Sequence, residues 1–68
     1  INNMVAGLED KLKANPGNVD GWIMLMRSRM TLGESAKAGA ALERAIAANP
    51  AAAQRLRAQA KLLGVPGA

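Results

Sequence analysis

Residues 7–16 read GLEDKLKANP, and residues 41–50, 34 positions later, read ALERAIAANP. Leu8/Leu42, Glu9/Glu43, Ala14/Ala48, Asn15/Asn49 and Pro16/Pro50 are identical, and Leu12/Ile46 is conservative. In helical sequence, a period of this length marks a unit that leaves an apolar face for the next copy to cover. A chain of 68 residues makes one small domain at most. Such a domain buries only roughly 60% of its unfolded surface, so neighbour-on-neighbour packing has to carry its stability.

The periodicity between the matched segments predicts helices. Ile1, Met4, Val5, Leu8 and Leu12 fall three and four apart, predicting an amphipathic helix over 2–14 that ends at Asn15-Pro16-Gly17. Asn18 is placed to cap a second helix over 19–32, with Asp20 in its first turn, where the helix dipole favours an acid. Gly33 stops that helix, and Ser35 is expected to cap a third over 35–48. Asn49-Pro50 ends the third helix, and Pro50 can open a fourth, where Ala53, Leu56, Ala60 and Leu63 form the apolar stripe. Gly64-Val65-Pro66-Gly67 closes the pattern, with a tail expected to fray. Four short helices with tight connections and no β-type alternation give an all-α fold of antiparallel neighbours.

Histidine and cysteine are both absent. Without them the common nucleophile–base pairs and zinc sites cannot be assembled, so neither an enzyme, nor a metal, nor a cofactor is expected. The chain opens at Ile1, has no basic-apolar leader and has no apolar run long enough to span a bilayer, so it is expected to be a piece of a longer protein. Residues 1–43 balance their charges, whereas beyond Glu43 the chain holds Arg44, Arg55, Arg57 and Lys61 and no acid. That asymmetry suits an acidic peptide, phosphate or anionic surface, or simply a solvated helix face. The pI of 10.4 does not make nucleic acid an expected partner, because the basic residues are not interleaved with aromatics.

The spacing resembles the tetratricopeptide repeat, which asks for Trp, Leu, a small residue and an aromatic on its first helix, then Ala, an aromatic and Pro. Trp22, Leu25, Ala38 and Pro50 fit, and Leu42 stands in for the second aromatic. Met26 departs from the small position, which predicts wider packing. Arg29 departs from the aromatic one, which predicts a partly exposed site or an Arg stem over the core with its head in water. The resemblance implies a solenoid fragment: residues 1–16 as the second helix of a preceding repeat, 17–52 as a complete repeat, and 53–68 as a capping helix and tail.

A narrower resemblance rests on Met4, Val5, Leu8, Leu12, Asn15, Pro16, Gly21, Trp22, Met24, Leu25, Arg27, Ser28, Met30, Leu32 and Gly33. In this run the chain is similar to the tetratricopeptide region of cytochrome c maturation proteins of the CcmI/CycH type, including forms fused to a CcmH domain. The resemblance implies a periplasmic module on a protein anchored in the inner membrane. Its partner would be apocytochrome c or the haem ligation subunits, and it would hold the apocytochrome without making or breaking a bond.

The core expected from the stripes is Leu8, Leu12, Trp22, Leu25, Ala38, Leu42, Ala45, Ile46 and Pro50. The second helix carries another apolar stripe, Ile23, Arg27 and Met30. This stripe either lines a peptide groove or packs under the first helix. Asp20 and Thr31 beside Arg27 are candidate polar handles for a carboxylate, and Arg55, Arg57 and Lys61 are candidate steering charges. The alternative to peptide capture is a scaffold or self-association role, with Met4, Val5 and Ile23 pairing two chains into a homodimer.

Overall fold

The computed structural model describes the backbone of residues 2–68 and the side chains of residues 5–68. Among the described residues there are helices and no strands: α1 (Asn2–Ala14), α2 (Val19–Thr31), α3 (Ser35–Ala48), a single 3₁₀ turn (Pro50–Ala52) and α4 (Ala53–Leu63). This all-α order is compatible with a tetratricopeptide-like helix array. The expected contributions of Ile1 and Met4 lie outside the described residues.

Local chemistry accounts for the helix ends. Asn18 Oδ1 accepts the Gly21 N–H at 3.1 Å, satisfying an orphan donor at the start of α2. At the end of α2, Gly33 takes φ 75°. The Gly33 N–H reaches Met30 O at 3.0 Å and the Glu34 N–H reaches Arg29 O at 2.9 Å, the paired bonds of a Schellman end. α3 covers the expected 35–48, but its cap is corrected. Ser35 is already helical, and the flanking residue is Glu34, which gives no side-chain cap bond. The Glu34 carboxylate is engaged elsewhere, by Arg29 and Lys37.

Within this fold α2 is the central element, touching α1, α3 and α4. Leu25, Met26, Ala38, Ala45, Leu56 and Ala60 are fully enclosed, and Val5, Leu12, Trp22, Ala41 and Leu42 complete the buried layer around them. Three of the four buried α3 positions are alanines, Ala38, Ala41 and Ala45, and small residues on one helix leave room for a large one such as Met26 on the other. Leu8 and Ile46 are half-buried at the edge of the core. Pro50 is exposed, contrary to its expected core place. Its fixed φ and missing N–H act in the turn, where it opens the 3₁₀ segment.

The tail also departs from expectation. Gly64 takes φ 79°, and the Val65 N–H donates to Ala60 O at 2.9 Å, turning the chain back so that Val65 is 5% exposed. A buried apolar side chain just past the glycine gives this end a packing anchor. The Pro66 carbonyl then lies against α3 at Gly39, where a Cβ would sit 3.4 Å from it.

Candidate functional site

The face of α2 opposite Trp22, Leu25 and Met26 carries the candidate groove residues. Asp20, Ile23, Arg27, Met30 and Thr31 recur at three- and four-residue intervals along it. Asp20, Arg27 and Thr31 are exposed, while Ile23 and Met30 are half-buried. Two observations set α4 alongside α2 in parallel. Near their N-terminal ends Arg55 Nη2 meets Asp20 Oδ1 at 2.6 Å, and near their C-terminal ends the position of a Gly64 Cβ lies 3.8 Å from the Met30 methyl.

This arrangement redistributes the expected roles. Asp20 pairs with Arg55 across 35 residues and so is not available to Arg27 as a second handle. The Thr31 hydroxyl donates to the Arg27 carbonyl at 3.0 Å, a bond within its own helix. Arg27, Arg57 and Lys61 are exposed, and none has an ion-pair partner among the described residues. The basic C-terminal half is therefore partly compensated from the N-terminal half. Arg55 has Asp20, and Arg44 has Glu9 at 3.8 Å while lying 5.3 Å over the Trp22 ring.

Arg29 is the partly exposed site that its departure from the pattern predicts, and its head is paired. Its side chain is 15% exposed, donating to Glu34 Oε1 at 2.9 Å and to Glu9 Oε1 at 3.0 Å. It thus ties α1 to the α2–α3 turn from the position where the repeat pattern asks for an aromatic. The hydrogen bond from Arg29, and then that from Lys37, hold the Glu34 carboxyl below the usual carboxylate range, while the bonds to Glu34, and then to Glu9, raise the Arg29 guanidinium further.

Behind the groove, Trp22 is 3% exposed and its Nε1–H donates to the Pro16 carbonyl at 2.9 Å. The Asn49 side-chain amide donates to the same oxygen at 2.7 Å. The second Asn-Pro end thereby fastens the turn made by the first, a use of Asn49 that helix-end reasoning did not anticipate. Two exposed apolar side chains were missed as well: Met24 at 56% and Leu62 at 80% exposure. Leu62 lies off the Ala53–Leu56–Ala60–Leu63 stripe, and that displacement was the available signal. Among the described residues no group of acids could hold a metal ion.

The chain is similar to a cytochrome c biogenesis protein. It is 37% identical over 68 residues to the cytochrome c-type biogenesis protein CycH of Rhizobium meliloti (strain 1021), a match that covers 96% of this chain and 18% of that protein. The chain thus spans less than a fifth of this relative's length. No protein-family model matches it, and no solved structure does. Among the described residues, no helix is long and apolar enough to cross a membrane.

Proposed function

We propose that the chain is a peptide-binding helical module of a c-type cytochrome biogenesis protein, holding an apocytochrome segment for the haem ligation machinery. The link to cytochrome biogenesis draws on the 37% identity to CycH. The binding role draws on one observation above all: Ile23 and Met30 stay only half-buried beside the exposed, unpaired Arg27 on a helix whose opposite face is fully packed. A strip of this kind beside a parallel helix suits an amphipathic segment lying along it. In this reading residues 1–16 end one repeat, 17–52 form a complete one, and 53–68 cap it. The module would act in the periplasm, on a parent anchored in the inner membrane. The groove spans only two neighbouring helices, so the expected affinity is micromolar in order.

Titration of the labelled chain with a synthetic C-terminal helix of a c-type apocytochrome, followed through backbone amide shifts, tests this reading. Shifts concentrated on Ile23, Arg27 and Met30 are expected. No shifts at millimolar peptide would refute capture by this chain. A molecular mass that rises with protein concentration, without peptide shifts, would instead favour self-association.

A further inference from the structure

Carboxylates are nearly absent from the two helices that form the groove. Across α2 and α4, Asp20 is the one carboxylate, set against Arg27, Arg29, Arg55, Arg57 and Lys61. Arg29 is held by Glu9 and Glu34, and Arg55 by Asp20, which leaves Arg27, Arg57 and Lys61 uncompensated. The Asp20–Arg55 pair closes one end of the crevice between α2 and α4. Both side chains are well exposed, at 78% and 59%. An ion pair so exposed is weak, and its opening costs little.

The apolar part of the crevice has a matching layout. Arg57, Lys61 and Gly64 share one side of α4 at intervals of four and three, and a Gly64 Cβ would lie 3.8 Å from the Met30 methyl, so this side flanks the crevice. This side therefore borders the same channel as Ile23 and Met30, which stand two helical turns apart, about 10 Å. A ligand helix with apolar residues at i, i+3 and i+7 spans that distance. Its flanking carboxylates would meet the arginines and Lys61.

We infer that this crevice selects an acidic amphipathic helix, and that Asp20 is a built-in competitor that occupies Arg55 until a ligand carboxylate replaces it. The inference rests on the peptide-capture reading and adds two things to it: the charge class of the ligand and a residue that sets the threshold for entry. Nucleic acid fits less well, because Ile23 and Met30 offer it nothing and the groove has no aromatic to stack a base.

The test uses two fluorescent model helices, each with leucines at i, i+3 and i+7. One carries glutamates at its flanking positions, and the other carries glutamines in their place. The glutamate helix is expected to bind at least about tenfold tighter at low salt, with an advantage that shrinks as ionic strength rises. Asp20→Asn is expected to tighten the glutamate helix ~3-fold, the scale of one exposed ion pair, and to leave the glutamine helix unchanged. Asp10→Asn on α1, which alters net charge equally, is expected to do neither. Equal binding of the two helices at Ile23, Arg27 and Met30 would overturn the acid preference while leaving peptide capture intact. Equal tightening by Asp10→Asn, or none by Asp20→Asn, would overturn the competitor role. If neither helix binds, or only a single-stranded oligonucleotide does, the inference is wrong. The apocytochrome titration then decides the capture reading separately.

Discussion

Replacing Arg29 by methionine keeps an unbranched stem over the core and deletes the guanidinium that joins α1 to the α2–α3 turn. Two charge-assisted hydrogen bonds are lost, at 2.9 and 3.0 Å, from a side chain that is 15% exposed. Bonds of this class contribute ~1.5–3 kcal/mol each when well buried. Glu9 and Glu34, however, retain 30% and 29% exposure, and Arg44 and Lys37 remain near them. Solvent and those cations recover part of the loss, so the expected destabilisation is ~1–2 kcal/mol in all. Total stability for a chain of this length is roughly 3–10 kcal/mol, which makes the change large. Urea unfolding followed by Trp22 fluorescence reads it: with a slope near ~1 kcal/mol per molar, the midpoint should fall by ~1–2 M.

The effect should also depend on pH, in a direction set by Glu34. Arg29, and then Lys37, lower the pKa of its carboxyl in the folded state relative to the unfolded chain. A depressed carboxyl contributes stability that is fully present above its unfolded pKa, about 4.3, and is lost as the pH falls through the folded value. The gap between the native chain and Arg29→Met should therefore stay constant from neutral pH to about pH 5 and shrink progressively as the pH falls below about 4.3. A gap under ~0.3 kcal/mol at neutral pH, or an undiminished one at about pH 3, would show that the Glu9–Arg29–Glu34 tie does not hold α1 in place.

Two further substitutions probe the packing around the site. Trp22→Ala removes a ring that is 3% exposed, together with its bond to Pro16, and should cost about 3–5 kcal/mol, leaving the chain close to unfolded by circular dichroism at room temperature. Gly21→Ala places a Cβ 2.8 Å from the Asn18 amide and 3.0 Å from a Leu12 methyl, displacing the α2 cap. The helix-propensity gain of ~1 kcal/mol should be outweighed by the lost cap and the crowding, for a net loss of ~1 kcal/mol. A thermal midpoint that rises instead would refute this account of the α1–α2 contact.

The helices and their ends were legible in the amino-acid sequence because the rules that place them act within a turn or two of the chain. Asn18 caps because its oxygen reaches the Gly21 N–H three residues on, and Gly33 stops α2 because it takes φ 75°. The stripe containing Leu12, Trp22, Leu25, Ala38, Leu42 and Ala45 was readable for the same reason, since helical spacing alone puts these residues on inward faces. Ser35 shows the limit: α3 begins there as expected, but the cap position falls on Glu34, whose N–H closes the Schellman end of α2, so the Ser35 hydroxyl is not the cap.

What the charges do was decided only by the tertiary structure. Read along the chain, Arg44 and Arg55 lie in a stretch without acids. Once the helices stack, Arg55 on α4 meets an acid 35 residues away on α2, and Arg44 on α3 lies over the Trp22 ring of α2. The same packing places Asn49 and Trp22 on one carbonyl of Pro16 and Arg29 between Glu9 and Glu34. No local rule specifies such pairs, because helical periodicity says which face a side chain is on and not which neighbour that face meets. The contacts that shape the candidate groove therefore follow from the order in which the helices stack, whereas the helices themselves follow from the sequence.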